Sequence, residues 1–156
     1  MTRFPCRTVI TLLVLCGVPQ LSQAQVWKAE GQGAATSAGF SQKGRLAGLV
    51  FRCTQPGRVR LLLSGDGTRF SDERPRTLVL SVDGLAERTT VTAEAEPNGK
   101  GASRFAREDT LAQADALLTL LSKGREVEVS GPSGMFRLPL KGSGAAIARL
   151  RAGCGG

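Results

Sequence analysis

Two cysteines standing 101 positions apart, Cys53 and Cys154, constrain this 156-residue chain more than any other feature. They are the two of its four cysteines that remain once an N-terminal export signal is set aside. An even pair in an oxidising compartment is most simply a disulfide. Such a bridge closes a loop of about 100 residues and contributes roughly 4–5 kcal/mol in the chain-entropy model, less where it strains the native geometry. Free or redox-active thiols are the alternative, although no Cys-x-x-Cys spacing exists. Two thiolates without histidine leave the tetrahedral zinc set incomplete.

The export signal is read in residues 1–24. Arg3 and Arg7 give a positive start, residues 9–15 an apolar run, Pro19 a break, and Ser22-Gln23-Ala24 a small-x-small cleavage site. The run is too short to span a bilayer, which takes about 20 residues. A buried N-terminal strand or helix is the competing reading. A lipid anchor on Cys16 is another, but Leu15 stands where lipidation wants a small residue. Residues 25–156 are then expected to form one periplasmic or secreted domain, with no second apolar run for a membrane.

Removing the signal leaves 19 basic residues against 13 acids, a formal charge of +6. Such a balance suits anionic surroundings: phospholipid, lipopolysaccharide, nucleic acid or an acidic protein face. Nucleic acid is not expected, because aromatic residues make up only 4% of the chain and single strands want stacking platforms. The chain has no histidine. That removes Ser–His and Cys–His nucleophile pairs and the common metal sites together, and no cofactor is expected. Catalysis would fall to carboxylates, Ser, Lys or Arg.

Along the chain, Trp27 opens the expected domain, and Gly, Ala and Ser crowd residues 31–39, either an edge strand or a loose connection. Residues 46–53 and 58–64 read as strands around a Gln55-Pro56-Gly57 turn, and residues 70–75 as a charged loop. Residues 76–83 and 85–95 form a hairpin about Asp83-Gly84. Glu96-Pro97-Asn98-Gly99 turns again before a short strand at 102–105. Asp109 is expected to cap a helix carrying Leu111, Ala114, Leu117, Leu118 and Leu121, which ends at Gly124. Residues 125–130 and 135–140 form a last hairpin, with Pro139 favouring an edge. Ser143 is expected to cap a short helix at 144–151, with Cys154 just beyond it. The fold class is therefore mainly β (α+β): an antiparallel β-sandwich or twisted sheet of about seven strands, with two short helices packed on it.

Few motifs carry chemistry. The acid pairs Glu108/Asp109, Asp72/Glu73 and Glu126/Glu128 lie at a helix start, in a loop and along one strand face; none is placed to oppose another across a cleft, as glycoside hydrolysis demands. Ser64-Gly65-Asp66-Gly67 reads as a turn, since it lacks the further ligands of a calcium loop and the Gly-Lys-Ser/Thr of a phosphate loop. Arg58 and Arg60 alternate along a strand, as either a solvated face or a face for an anionic partner. No catalytic, cofactor or metal residue is assigned.

The order of features is more specific than any one motif. Trp27 precedes a strand ending Phe51-Arg52-Cys53, and a second strand runs into Ser81-Val82-Asp83-Gly84. The helix Leu117-Leu118-Thr119-Leu120-Leu121 leads to Lys123-Gly124-Arg125. The chain then reads Leu138-Pro139-Leu140-Lys141-Gly142-Ser143, Ala145-Ala146-Ile147, Leu150-Arg151 and Cys154. In this order it resembles a group of small exported bacterial proteins: the type VI secretion accessory proteins of the TagO/VasI kind and, more loosely, the invasion-associated locus B family. The resemblance implies a periplasmic, sandwich-like accessory domain without enzymatic activity.

The functional expectation is a non-enzymatic accessory or binding protein of the bacterial envelope, with an envelope protein or an anionic surface as its partner. The alternatives are a lysozyme-inhibitor-like domain, against which the repulsion between two basic surfaces counts, and a histidine-free enzyme acting on envelope polymers.

Overall fold

A computed structural model describes residues 26–97 and 99–155. The expected signal at 1–24 and Cys16 lie outside the described residues, as does Asn98 of the expected turn. Within them run β1 (Val26–Glu30), a 3₁₀ turn (Gly33–Ala35), β2 (Ser37–Gln42), β3 (Arg45–Gln55), β4 (Arg58–Leu63), β5 (Arg76–Val82) and β6 (Leu85–Ala95). There follow β7 (Ser103–Thr110), α1 (Leu111–Lys123), β8 (Glu126–Gly131), β9 (Gly134–Pro139) and α2 (Ser143–Gly155).

The strands form one antiparallel sheet in the order β1-β2-β3-β4-β7-β6-β5-β8-β9. The class is mainly β with two helices, as the alternating runs require, but the strands number nine rather than seven. The two additional strands are β1 and β2, at one edge of the sheet. In β2 every residue from Ser37 to Ser41 is buried: Ala38 and Phe40 join the core on the side where α2 packs, and the small Ser37, Gly39 and Ser41 lie on the other face between two flanking strands. Small residues suit that position. A Cβ on Gly39 would stand 2.7 Å from the Leu49 carbonyl oxygen, so the close approach to β3 depends on a bare backbone here.

Long β6 connects the two halves of the sheet. Leu85 through Val91 pair with β5, and Thr92 through Ala95 pair with β7. Both halves feed a single core. Leu49, Phe51, Leu61 and Leu63 come from one half, Leu78, Leu80, Val127 and Val129 from the other, and Leu118, Leu121, Ile147 and Leu150 from the helices. Each such side chain contributes about 1.5–3 kcal/mol by leaving water. Pro139 lies in an edge strand, where its missing N–H breaks no ladder.

Both helix starts differ from expectation. Asp109 lies in β7, which extends from Ser103 to Thr110 in place of the short strand expected at 102–105. Thr110 caps α1 instead. Its hydroxyl accepts from the Gln113 amide at 3.2 Å, and the Gln113 side chain accepts from the Thr110 amide at 2.9 Å. In α2 the Ser143 hydroxyl donates to the Leu121 carbonyl at 2.7 Å, joining the C-terminal turn of α1 to the start of α2. Helix α2 continues past 151 and contains Cys154.

Cys53 of β3 and Cys154 of α2 form a disulfide with a Cα–Cα distance of 5.4 Å, inside the range such bridges use. The adjoining β3–β4 turn reinforces it. The Gly57 amide donates to the Cys154 carbonyl at 2.6 Å, and the Gly57 carbonyl accepts from Leu111 at 2.8 Å. One turn therefore touches the end of α2 and the beginning of α1.

Candidate functional site

The strand β4 that carries Arg58 and Arg60 turns its odd residues, Val59, Leu61 and Leu63, into the core. Its even residues face outward, where Leu62 packs with Val50, Ala106 and Leu46. The two arginines flank this outer apolar strip and meet carboxylates from neighbouring strands. Arg58 lies 3.8 Å from Glu108, and Glu108 also accepts from the Thr54 hydroxyl. Arg60 pairs with Glu94, which accepts from Arg104 at 2.6 Å on its other oxygen. Glu94 thus sits between two guanidinium groups. The alternation seen in the sequence does put Arg58 and Arg60 on one face, with their charge met at short range by Glu108 and Glu94.

Four of the cations without a carboxylate partner among the described residues lie on β1–β3: Lys28 on β1, Lys43 and Arg45 at the β2–β3 turn, and Arg52 on β3; Arg69, Arg88, Lys100, Lys123, Lys141 and Arg149 are likewise unpaired elsewhere. Register aligns Lys28 with Gly39 and Val50, and Arg52 with Ser37, whose hydroxyl accepts from Arg52 Nε at 3.2 Å. The small residues of β2 leave a low strip between these longer basic side chains. Glu30 is the single acid in residues 26–55. Sequence inspection picks Arg58 and Arg60 because they alternate. It passes over the β1–β3 cations because they are scattered along the chain and converge only through strand pairing.

The acid pairs are spread over three places. Asp72 binds Arg74 at 3.1 Å and Arg76 at 2.6 Å, and the Arg76 guanidinium lies 4.3 Å from the centre of the Phe70 ring. Asp109 binds Arg107 at 2.7 Å. Glu128 binds Arg137 at 2.7 Å, with Glu126 at 3.8 Å from the same guanidinium. These contacts hold the Arg137 guanidinium above its ordinary range, chiefly through the hydrogen bond to Glu128. Among the described residues no cluster of three or more His, Cys, Asp or Glu could hold a metal ion. In the Ser64–Gly67 turn, Asp66 accepts from the Thr68 amide at 2.9 Å, which closes the turn locally.

Where β9 faces the ends of β2, β3 and β4 across the bent sheet, the interior opens into a cleft of about 340 Å³. Its apolar wall comes from Phe40, Ala47, Phe136 and Leu138, and its polar edge from Ser64 and Ser133. Nothing in the sequence marks it, because its lining comes from four separated segments. Comparison with family models, with curated proteins and with solved structures finds no match to this chain.

Proposed function

We propose that this chain is an exported, non-enzymatic accessory domain of the bacterial envelope that binds an acidic protein partner through the outer face of β1, β2 and β3. The observation that carries this reading is a local surplus of positive charge on β1–β3. Arg58 and Arg60 are met by Glu108 and Glu94, whereas Lys28 and Arg52 stand on the outer face of β1 and β3, with Lys43 and Arg45 at the turn between β2 and β3, in a stretch whose one acid is Glu30. Uncompensated charge of one sign raises the encounter rate with an opposite surface and selects partners. A protein partner fits better than a lipid surface. Peripheral membrane binding wants exposed apolar residues beside the cations, and among the described residues the large exposed apolar side chains, Leu85 and Met135, belong to β6 and β9.

Export is supported by the N-terminal pattern and by the disulfide, which persists in oxidising compartments. No helix among the described residues is long and apolar enough to cross a membrane. The resemblance to the TagO/VasI kind and the locus B family supplies the accessory role. The sharing of one core by both halves of the sheet about β6 supports the sandwich-like architecture that the resemblance implies.

The test is cross-linking capture from periplasmic extract, comparing wild type with the Lys28→Glu/Arg52→Glu variant in low and high salt. A defined partner, recovered by the wild type at low salt and lost with the variant, is the expected result. Equal recovery by both forms refutes the assigned face. Binding to anionic vesicles with no protein captured overturns the choice of partner.

A further inference from the structure

We propose that the cleft at the open end of the bent sheet is a binding site for a small neutral ligand with an apolar ring or short chain and one hydrogen-bonding group. The inference stands apart from the basic face of β1–β3, because it rests on the interior of the sheet rather than on its outer charges.

The cleft follows from the way the sheet bends. Strands β3 and β9 approach each other without pairing. A Cβ on Gly48 would lie 3.6 Å from Leu138 Cδ1 and 3.8 Å from Phe136 Cε2, so a bare backbone position leaves room between the two walls. Its volume of about 340 Å³ falls within the range of ligand sites, about 300–1,000 Å³, and such sites favour the mouths of curved sheets.

One hydroxyl and one side-chain amide give the site its chemistry. Ser64 Oγ accepts from the Gly48 amide at 3.0 Å, while the Ser64 amide donates to the Gly48 carbonyl at 2.8 Å. With its acceptor side engaged, this exposed hydroxyl keeps a proton to donate. Ser133 lines the cleft with its other atoms, its Oγ being closed off from solvent and so from a ligand. Gln42 adds a neutral amide at the rim. Arg137, the one charged residue in the lining, has its guanidinium bound to Glu128 and Glu126. The groups open to a ligand are therefore neutral, which selects against a carboxylate or an amine.

The experiment titrates the mature, disulfide-linked protein with p-cresol, and with hexanoate as the charged counterpart, following backbone amides by NMR. Saturable shifts confined to Gly48, Ser64, Ser133 and Leu138 are expected with p-cresol. Ser64→Ala should weaken p-cresol binding by about threefold to tenfold, the effect of one neutral hydrogen bond. Ala47→Trp, which fills the space, should abolish binding while the thermal midpoint shows that the domain still folds. Absence of saturable shifts with p-cresol, equal binding of hexanoate, or full binding by a folded Ala47→Trp variant each overturns the proposal. Loss of the β1–β3 cations leaves this titration unchanged, so the two sites fail or succeed separately.

Discussion

The backbone N–H of Trp27 donates to the carbonyl of Lys141 at 2.9 Å, which ties edge strand β1 to the chain just beyond the opposite edge strand, β9. An open sheet leaves two unpaired edges that invite other chains, and this bond occupies part of one of them. The contact leaves no room at Gly142, which has φ of 84° and whose Cβ would stand 2.9 Å from the Trp27 carbonyl oxygen. Gly142→Val should cost about 2 kcal/mol or more, combining left-handed backbone strain with a steric clash. Urea unfolding reads the loss, and hydrogen exchange at the Trp27 amide should quicken. Unchanged exchange there would show that the edge contact is not maintained in solution.

Cys154→Ser removes the bridge to Cys53. The chain-entropy model puts the loss at about 4–5 kcal/mol for the 101-residue separation. Helix α2 keeps its apolar contacts through Ile147 and Leu150, so the variant should fold with a lowered melting temperature. The oxidised wild type should show no free thiol at these two positions. Alkylation of Cys53 or Cys154 under native, oxidising conditions, or an unchanged melting temperature in the variant, would refute the bridge.

Two hydroxyls at helix ends should differ in their effect. Thr110→Ala removes an exposed cap from α1 and should cost about 1 kcal/mol. Ser143→Ala removes a buried hydroxyl and leaves the Leu121 carbonyl without its donor; the cost should reach about 1–3 kcal/mol. Chemical denaturation of the two variants side by side checks the order. A larger loss at Thr110 than at Ser143 would show that the link between the helices is weaker than its burial implies.

Asp66 supplies a pH signature. The Thr68 amide, and then the Thr68 hydroxyl, hold its carboxyl below the ordinary 3.8. Because the folded value is depressed, the contribution is present above the unfolded value and is lost as pH falls through the folded one. NMR titration of the wild-type carboxyl should give a midpoint below 3.8. Thr68→Ala should raise that midpoint part of the way back, since the amide of residue 68 remains. A wild-type midpoint at the ordinary value would mean the turn is not closed in solution.

Much of this architecture is legible in the amino acids. Leu78, Leu80 and Val82, like Val127 and Val129, alternate as strands with one buried face, and the leucines from 111 to 121 repeat at helical spacing. Cys53 and Cys154 declare their pairing by elimination of other uses. Less legible is β2, whose Ser-Ala-Gly composition resembles a linker and which forms a strand by pairing with β1 and β3 under the cover of α2. The acid pair Glu108-Asp109 reads as a helix start, yet it lies at the end of a central strand, where Glu108 meets Arg58 and Asp109 meets Arg107. The Arg107–Asp109 pair is local, but local pattern does not encode the Arg58 that meets Glu108 from β4. The basic quarter on β1–β3 and the cleft under β9 likewise depend on register and curvature, which arise only when distant segments pair.

Helix α2 covers β1 and β2 and is also the last element of the described chain to leave the ribosome. The first strands to be synthesised therefore wait for the final stretch before they can be shielded, and contacts so distant in sequence slow folding. Until then Trp27 and Phe40 are available to chaperones or to other nascent molecules. A sheet whose first strands are covered by the last helix becomes compact only when α2 packs on it.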